Sequence, residues 1–255
     1  MTASQVSRGA WRQLGGDQGH SRRTSYGDPV TDALVELLQS AGPGARIPSE
    51  RDLSEELGVS RTLLRDRLSS LEALGVIRRR TGAGTYVHEL DPSRLGHALS
   101  IGLALSHHST ESLQSVRVAL ERQAAREAAT QRNYIDIAHM HVAFDIIKSD
   151  AARATQEQAD FDFHAALLRA SGNPSIAFFA DALSVALRRT FSQRRPLVER
   201  IENYQDMMIS VHRPILEAVQ AGDPDAAMAA IDAAFDRFDR EVAILRARGL
   251  AEDLA

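Results

Sequence analysis

The stretch SERDLSEELGVSRTLLRDRLSSLEALG, residues 49–75, decides the architecture of the front of this chain. Ser49, with Asp52 three residues on, reads as a capping box that satisfies the free amides of a helix start. That helix carries Leu53 and Leu57 and stops at Gly58. Only Val59 separates this glycine from Ser60, a second capping residue. Leu63, Leu64, Leu68, Leu71 and Leu74 then share one stripe, with Arg61, Arg65 and Asp66 on the other, until Gly75 ends the run. Two short helices joined by a tight glycine turn make a helix-turn-helix.

Working outward, Asp28-Pro29 opens an earlier helix with Val30, Leu34, Leu37 and Leu38 at helical spacing, and Gly42-Pro43-Gly44 stops it. On the other side, residues 76–80 and 85–87 read as strands around Thr81-Gly82-Ala83-Gly84, a hairpin with a glycine tip. Helix, helix-turn-helix and hairpin together predict a winged helix over 28–88. Residues 1–27 mix Gly, Ser, Arg and Gln without apolar periodicity and read as a flexible arm carrying Arg22 and Arg23. Residues 89–93 read as a linker. From 94 to 250 no strand signal appears; helices are predicted over 94–107, 110–130, 133–148, 153–171, 174–192, 196–220 and 224–247, enough for an all-α bundle. Pro214 predicts a kink in the sixth of these. The fold class is mainly α with one small β-hairpin.

Composition agrees and excludes several chemistries. The chain has 255 residues, 44% apolar and 5% aromatic, and a net charge of -4. Without a cysteine there are no disulfides, thiolate metal sites or cysteine nucleophiles. No long uncharged apolar run or secretory leader is present, which predicts a soluble cytoplasmic protein with no membrane partner. Charge is uneven: residues 1–88 hold 12 Arg and 10 acidic residues, residues 89–255 hold 18 basic and 24 acidic ones. A basic front on an acidic back suits an anion-binding module joined to something else.

At the start of the third helix the exposed residues are Ser60, Arg61, Thr62 and Arg65. Arginine can pair bidentately with guanine, and serine or threonine can reach phosphate or a base edge. Arg51, opening the preceding helix, stands where a helix N-terminus meets phosphate. Ordinary surface arginines on an amphipathic helix are the plain alternative for any one of them, but the combined pattern predicts binding to double-stranded DNA. The runs Ile47-Pro48-Ser49-Glu50-Arg51, Leu57-Gly58-Val59-Ser60-Arg61-Thr62, Leu64-Arg65, Leu71 to Gly75, and Gly82-Ala83-Gly84-Thr85-Tyr86-Val87 resemble the GntR family of bacterial transcriptional regulators. The resemblance implies DNA contacts from Arg51, Ser60, Arg61, Thr62, Arg65 and the wing residues Thr81 and Gly82, made by a homodimer on a short pseudo-palindromic operator.

In the back half, Asp160 and His164 lie four apart and share a helix face with Phe161, Leu167 and Leu168, while Asp162 and Arg169 lie opposite. Tyr204, Met208, Val211, Ile215 and Val219 mark a second inner stripe with His212 beside it. Asp160, His164 and His212 are therefore an inward set able to hold a divalent cation such as zinc. The alternative is that Asp160 and His164 bond each other and His212 is a satisfied core histidine. Arg117 with Glu121, Asp160 to His164, Ser171-Gly172-Asn173-Pro174, His212-Arg213, Ala218 and Gly222-Asp223-Pro224 resemble the all-helical FCD effector-binding domain of FadR-like GntR regulators. That resemblance implies a zinc or nickel ion on Asp160, His164 and His212, with the fourth ligand position of the family falling on Ala234. It also implies effector contacts from Arg117 and Asn173. A cation and a guanidinium suit a small carboxylate; a salt bridge from Arg117 to Glu121 is the competing use of the arginine.

The function expected is a ligand-responsive, dimeric DNA-binding regulator: a repressor of a catabolic operon released by a small organic acid or sugar acid, with no catalytic residues. A constitutive regulator with a vestigial cavity is one alternative. A metal-dependent hydrolase or lyase using Asp160, His164 and His212 is another, disfavoured because no nucleophile or general base stands at a matching spacing.

Overall fold

The computed structural model describes residues 25–106, 110–184 and 201–248; most of the expected arm, with Arg22 and Arg23, lies outside them. The chain forms two compact units that meet in sequence between Arg94 and Leu95.

The first unit contains α1 (Pro29–Ala41), α2 (Glu50–Leu57), α3 (Arg61–Leu74), β1 (Ile77–Arg80) and β2 (Gly84–Val87). The caps are those the sequence announces. Asp28 Oδ1 accepts from the amides of Val30 and Thr31, Ser49 Oγ from Asp52, and Ser60 Oγ from Leu63. Gly58 and Gly75 end α2 and α3 in the left-handed region, at φ 67° and 85°. β1 and β2 pair antiparallel, with Ile77 opposite Val87 and Arg80 opposite Gly84. The segment before α2 adds to this sheet through an isolated bridge between Arg46 and Tyr86, an interaction no alternation in the sequence announced. Leu34, Leu37, Leu53, Leu64, Leu68, Leu71, Ile77 and Val87 form the core. Leu74, assigned to the buried stripe by its spacing, is instead 60% exposed: Leu71 and Gly75 on either side of it are buried, and Leu74 lies to one side of the face they share with Leu64 and Leu68.

The second unit is all helical over its described residues: α4 (Pro92–Leu105), α5 (Thr110–Gln131), α6 (Tyr134–Lys148), α7 (Arg153–Ala170), α8 (described over 174–184), α9 (Tyr204–Ala221) and α10 (Pro224–Ala247). α4 starts inside the segment expected to be a linker. Asp91 Oδ1 accepts from the amide of Ser93 and Pro92 takes the first helical position, the same device that opens α1. α9 starts at Tyr204, well after the expected 196: residues 201–203 are not helical, and Asn203 sits at φ 52°, a left-handed conformation asparagine tolerates. Residues 196–200 lie outside the described ones. The helix runs on through Pro214 as one element.

Helices α5, α6, α7, α9 and α10 pack around Met140, Ile147, Phe163, Leu167, Ile215 and Ile231, all at most 1% exposed. α5 contributes Ala124, Ala125, Ala128 and Ala129, small residues that let neighbouring backbones come close. Among the described residues no helix is long and apolar enough to cross a membrane.

Candidate functional site

One candidate surface lies at the N-terminal end of α3 and the hairpin tip. Arg61, Thr62, Thr81 and Gly82 are exposed, as is Arg51, whose side chain is 66% accessible and stands 3.5 Å from Asp52. Ser60 spends its oxygen on capping α3, which leaves its hydroxyl proton to give. Gly82 has φ 73° in the turn closed by the Ala83 amide on Arg80 O, so a side chain there would be strained. Arg65 is 67% exposed and gives Nε–H and Nη2–H to Glu50 Oε2 at 3.1 and 3.0 Å. The other Glu50 oxygen lies 3.6 Å from Arg79 Nη1. Arg79 is fixed in turn by Glu72 at 3.3 Å and Ser69 Oγ at 3.0 Å. Glu50 was not singled out by the sequence reading, because nothing local shows that the first residue of α2 faces both α3 and β1.

The other candidate is inside the helical unit. Asp160 and His164 on α7 and His212 on α9 offer one ligand atom each, all within 4.8 Å of one another. His212 Nε2 is 2.8 Å and His164 Nε2 3.5 Å from Asp160 Oδ1. The rings are held from behind. His212 Nδ1 stands 2.8 Å from Met208 O, an atom that can only accept, so Nδ1 carries the proton and a neutral ring has a bare Nε2. That Nε2 is buried and makes no hydrogen bond of acceptable direction, despite its closeness to the Asp160 carboxylate. The nitrogen and the carboxylate oxygen are thus brought together with no hydrogen bond between them, an arrangement that two ligands of one cation would have. The Asp, His, His set thus fits a divalent metal.

His164 is held by a residue the sequence reading assigned elsewhere. Glu121 Oε2 lies 2.7 Å from His164 Nδ1, and Glu121 Oε1 accepts from Arg117 Nε at 2.5 Å. Glu121 is 2% exposed. Burial works against its charge, but Arg117 and His164 prevail and hold its carboxyl down to about 2. Burial likewise opposes the imidazolium of His164, yet Glu121 and Asp160 raise it to about 9 even with Arg117 opposing. Asp160 is held well below the usual carboxylate range by both histidines, against its own desolvation. Arg117 is thus engaged by Glu121, the competing use foreseen for it.

The inner faces differ in detail from the helical count. On α7 the core residues are Ala159, Phe163, Ala166, Leu167 and Ala170; Phe163, not Phe161, packs edge-on against both histidines, with centroids 5.6 Å from His164 and 4.8 Å from His212. Phe161 and Leu168 instead line a cavity of about 180 Å3 together with Arg117, Glu121, His164 and Ser184. Asp162 and Arg169 are exposed, as expected from their place opposite the apolar stripe, and they also border this cavity, which α8 lines from the other side. Asn173 does not join it: its Oδ1 accepts from the amides of Ser175 and Ile176 and caps α8. On α10, Ala234 is half-buried against the core, and Phe235 is the residue that meets the site, 5.3 Å beneath Arg117 and 6.4 Å from the His164 ring. A lone aromatic one residue from a predicted ligand position gave no signal of this.

Comparison with known proteins gives the same two parts. Residues 28–87 match the bacterial regulatory proteins of the gntR family and residues 112–237 match the FCD domain. The chain is 32% identical to the HTH-type transcriptional regulator LutR of Bacillus subtilis (strain 168) over 192 residues, 74% of this chain and 87% of that one. It is 30% identical to the probable D-xylose utilization operon transcriptional repressor of Paenarthrobacter nicotinovorans over 217 residues, 80% of this chain and 83% of that one. The solved structure of a Streptococcus agalactiae GntR protein shares the fold, with a TM-score of 0.60 at 23% identity over 83% of this chain and 97% of that one. The chain belongs to the GntR family of bacterial transcriptional regulators, with an FCD domain behind its helix-turn-helix, and is a regulator of transcription, not an enzyme.

Proposed function

We infer that this regulator is a cytoplasmic homodimer that binds a short pseudo-palindromic operator and represses a catabolic operon until a small organic acid or sugar acid releases it. Domain limits of 28–88 for the DNA-binding part and 94–250 for the effector-binding and dimerising part go with this reading. Arg61, Thr62 and Arg65 read bases, Arg51 and Ser60 take phosphate, and Thr81 and Gly82 bring the wing to the groove. The observation that carries the effector half is the continuous chain of contacts Arg117, Glu121, His164, Asp160, His212, which begins at the cavity wall and ends at the metal-capable set. Asp160, His164 and His212 would hold a divalent cation, which would add positive charge beside the cavity that His164 lines and so favour an effector carboxylate there. An anion entering the cavity competes with Glu121 for Arg117, and so disturbs α5 and α7 together. That repression is the direction of control is supported by the repressor among the relatives.

The test is titration of a duplex, selected on the full chain from a randomised pool, in the presence of hydroxy acids and sugar acids that shift the protein's melting temperature. Release of DNA by a bound acid is the expected result; unchanged DNA affinity with every acid that binds rejects the coupling. A constitutive regulator with a ligand-free cavity is the second reading, and the Arg117–Glu121 pair favours it because the arginine already has a counter-ion. No thermal stabilisation by any metal or acid is its signature.

A further inference from the structure

We propose that Glu50 determines the specificity of the DNA interface by holding one edge of the Arg65 guanidinium so that the other edge is presented to guanine. The inference rests on the proposed reading of Arg65 as a base-contacting residue.

A guanidinium has a side edge, made by Nε–H and one Nη2–H, and an end edge made by Nη1 and the second Nη2–H. In Arg65 the side edge is committed, since Nε and Nη2 both give to Glu50 Oε2 at 3.1 and 3.0 Å. The end edge carries the two parallel N–H groups that match guanine O6 and N7. The buttress is itself fixed: Arg79 leans on Glu50 Oε1 from β1, and Glu72 and Ser69 of α3 hold Arg79. One carboxylate thereby ties α2, α3 and the wing together at the end of α3 where the exposed arginines stand.

The Arg65 side chain is 67% exposed, so its own contact with Glu50 adds little to stability. Its consequences fall on recognition. A long side chain ordered before binding loses less freedom on docking. A guanidinium with an adjacent carboxylate is also a weaker attractor of phosphate, so Arg65 contributes less to indiscriminate binding than its charge suggests.

The experiment uses the full chain and a pool of randomised duplexes. Selection and sequencing give the base preference of the wild type, Glu50→Gln, Glu50→Asp and Arg65→Gln. Affinities for the selected duplex and a scrambled one are then measured across a salt series, with melting temperatures checking that each variant folds. Glu50→Asp keeps an acidic residue at the start of α2 but falls short of Arg65, so it separates the contact from the charge. Arg65→Gln is expected to lose the guanine preference at one position of each half-site. Both Glu50 variants are expected to weaken preference at that same position by about five- to tenfold. Glu50→Gln, but not Glu50→Asp, is expected to bind scrambled duplex about two- to threefold more tightly, with a salt slope steeper by up to about one. A wild-type profile in both Glu50 variants, with the preference lost in Arg65→Gln, overturns the buttress and leaves the role of Arg65 standing. A wild-type profile in Arg65→Gln overturns the reading of Arg65 and this inference with it.

Discussion

Glu121 Oε2 on α5 lies 2.7 Å from Nδ1 of His164 on α7, so the histidine that looks from its spacing like a partner of Asp160 alone has a carboxylate at ion-pair distance from each ring nitrogen. A carboxylate behind a ligating histidine fixes its orientation and raises its basicity at the other nitrogen.

The expected consequence is that Glu121→Gln lowers zinc or nickel affinity by about 10- to 100-fold while Asp160, His164 and His212 remain. Competition with a chromophoric chelator measures it. Equal affinities in the two proteins would mean that His164 is not oriented through Glu121.

The same contacts set a pH dependence. In the metal-free chain the folded value for His164 is raised from 6.5 to about 9, so the stabilisation it provides is complete below 6.5 and lost as pH rises through 9. Glu121 behaves oppositely: its value falls from 4.5 to about 2, so its stabilisation is present above 4.5 and lost as pH falls toward 2. Denaturant unfolding with a chelator present should show a loss on the order of 3 kcal/mol between about pH 6.5 and pH 9.5. A metal must displace the His164 proton, so calorimetry near pH 7 in buffers of different ionisation enthalpy should detect about one proton released per ion bound.

Ala234 is half-buried against the core beside Phe235. If it stands where a fourth ligand belongs, Ala234→His increases zinc or nickel affinity by at least about tenfold, since a fourth nitrogen completes the set. Elemental analysis of both purified proteins, with a chelator competition, checks this. Absence of metal from both would remove the metal from the proposed function.

On the DNA side, Arg61→Ala should cost about 1 to 3 kcal/mol on the selected duplex and relax preference at one position. Arg51→Ala should weaken selected and scrambled duplexes alike and reduce the salt slope by about one. Fluorescence anisotropy over a salt series distinguishes them, and identical behaviour of the two variants would contradict the assignment of base and phosphate roles.

The sequence by itself determined the local architecture and the identities of the residues at its ends. Caps and breaks are short-range chemistry: Asp28, Ser49 and Ser60 bond amides two or three residues away, and Gly58 and Gly75 take backbone angles that other residues resist. That is why the winged helix, with Arg61 and Arg65 at its exposed end, was legible without coordinates. Asp160 and His164 were legible together for the same reason, being one helical turn apart. The tertiary structure decided what depends on two elements meeting. Phe163 rather than Phe161 turned toward the histidines because the packing of α7 against α5 and α6 fixes its rotation, to which a helical count is insensitive. Glu121 became the partner of His164, Asn173 spent its side chain on a cap and Glu50 found Arg65 across fifteen residues of chain. Each of these rests on the distance between side chains from different elements, and spacing along one helix carries no information about that distance.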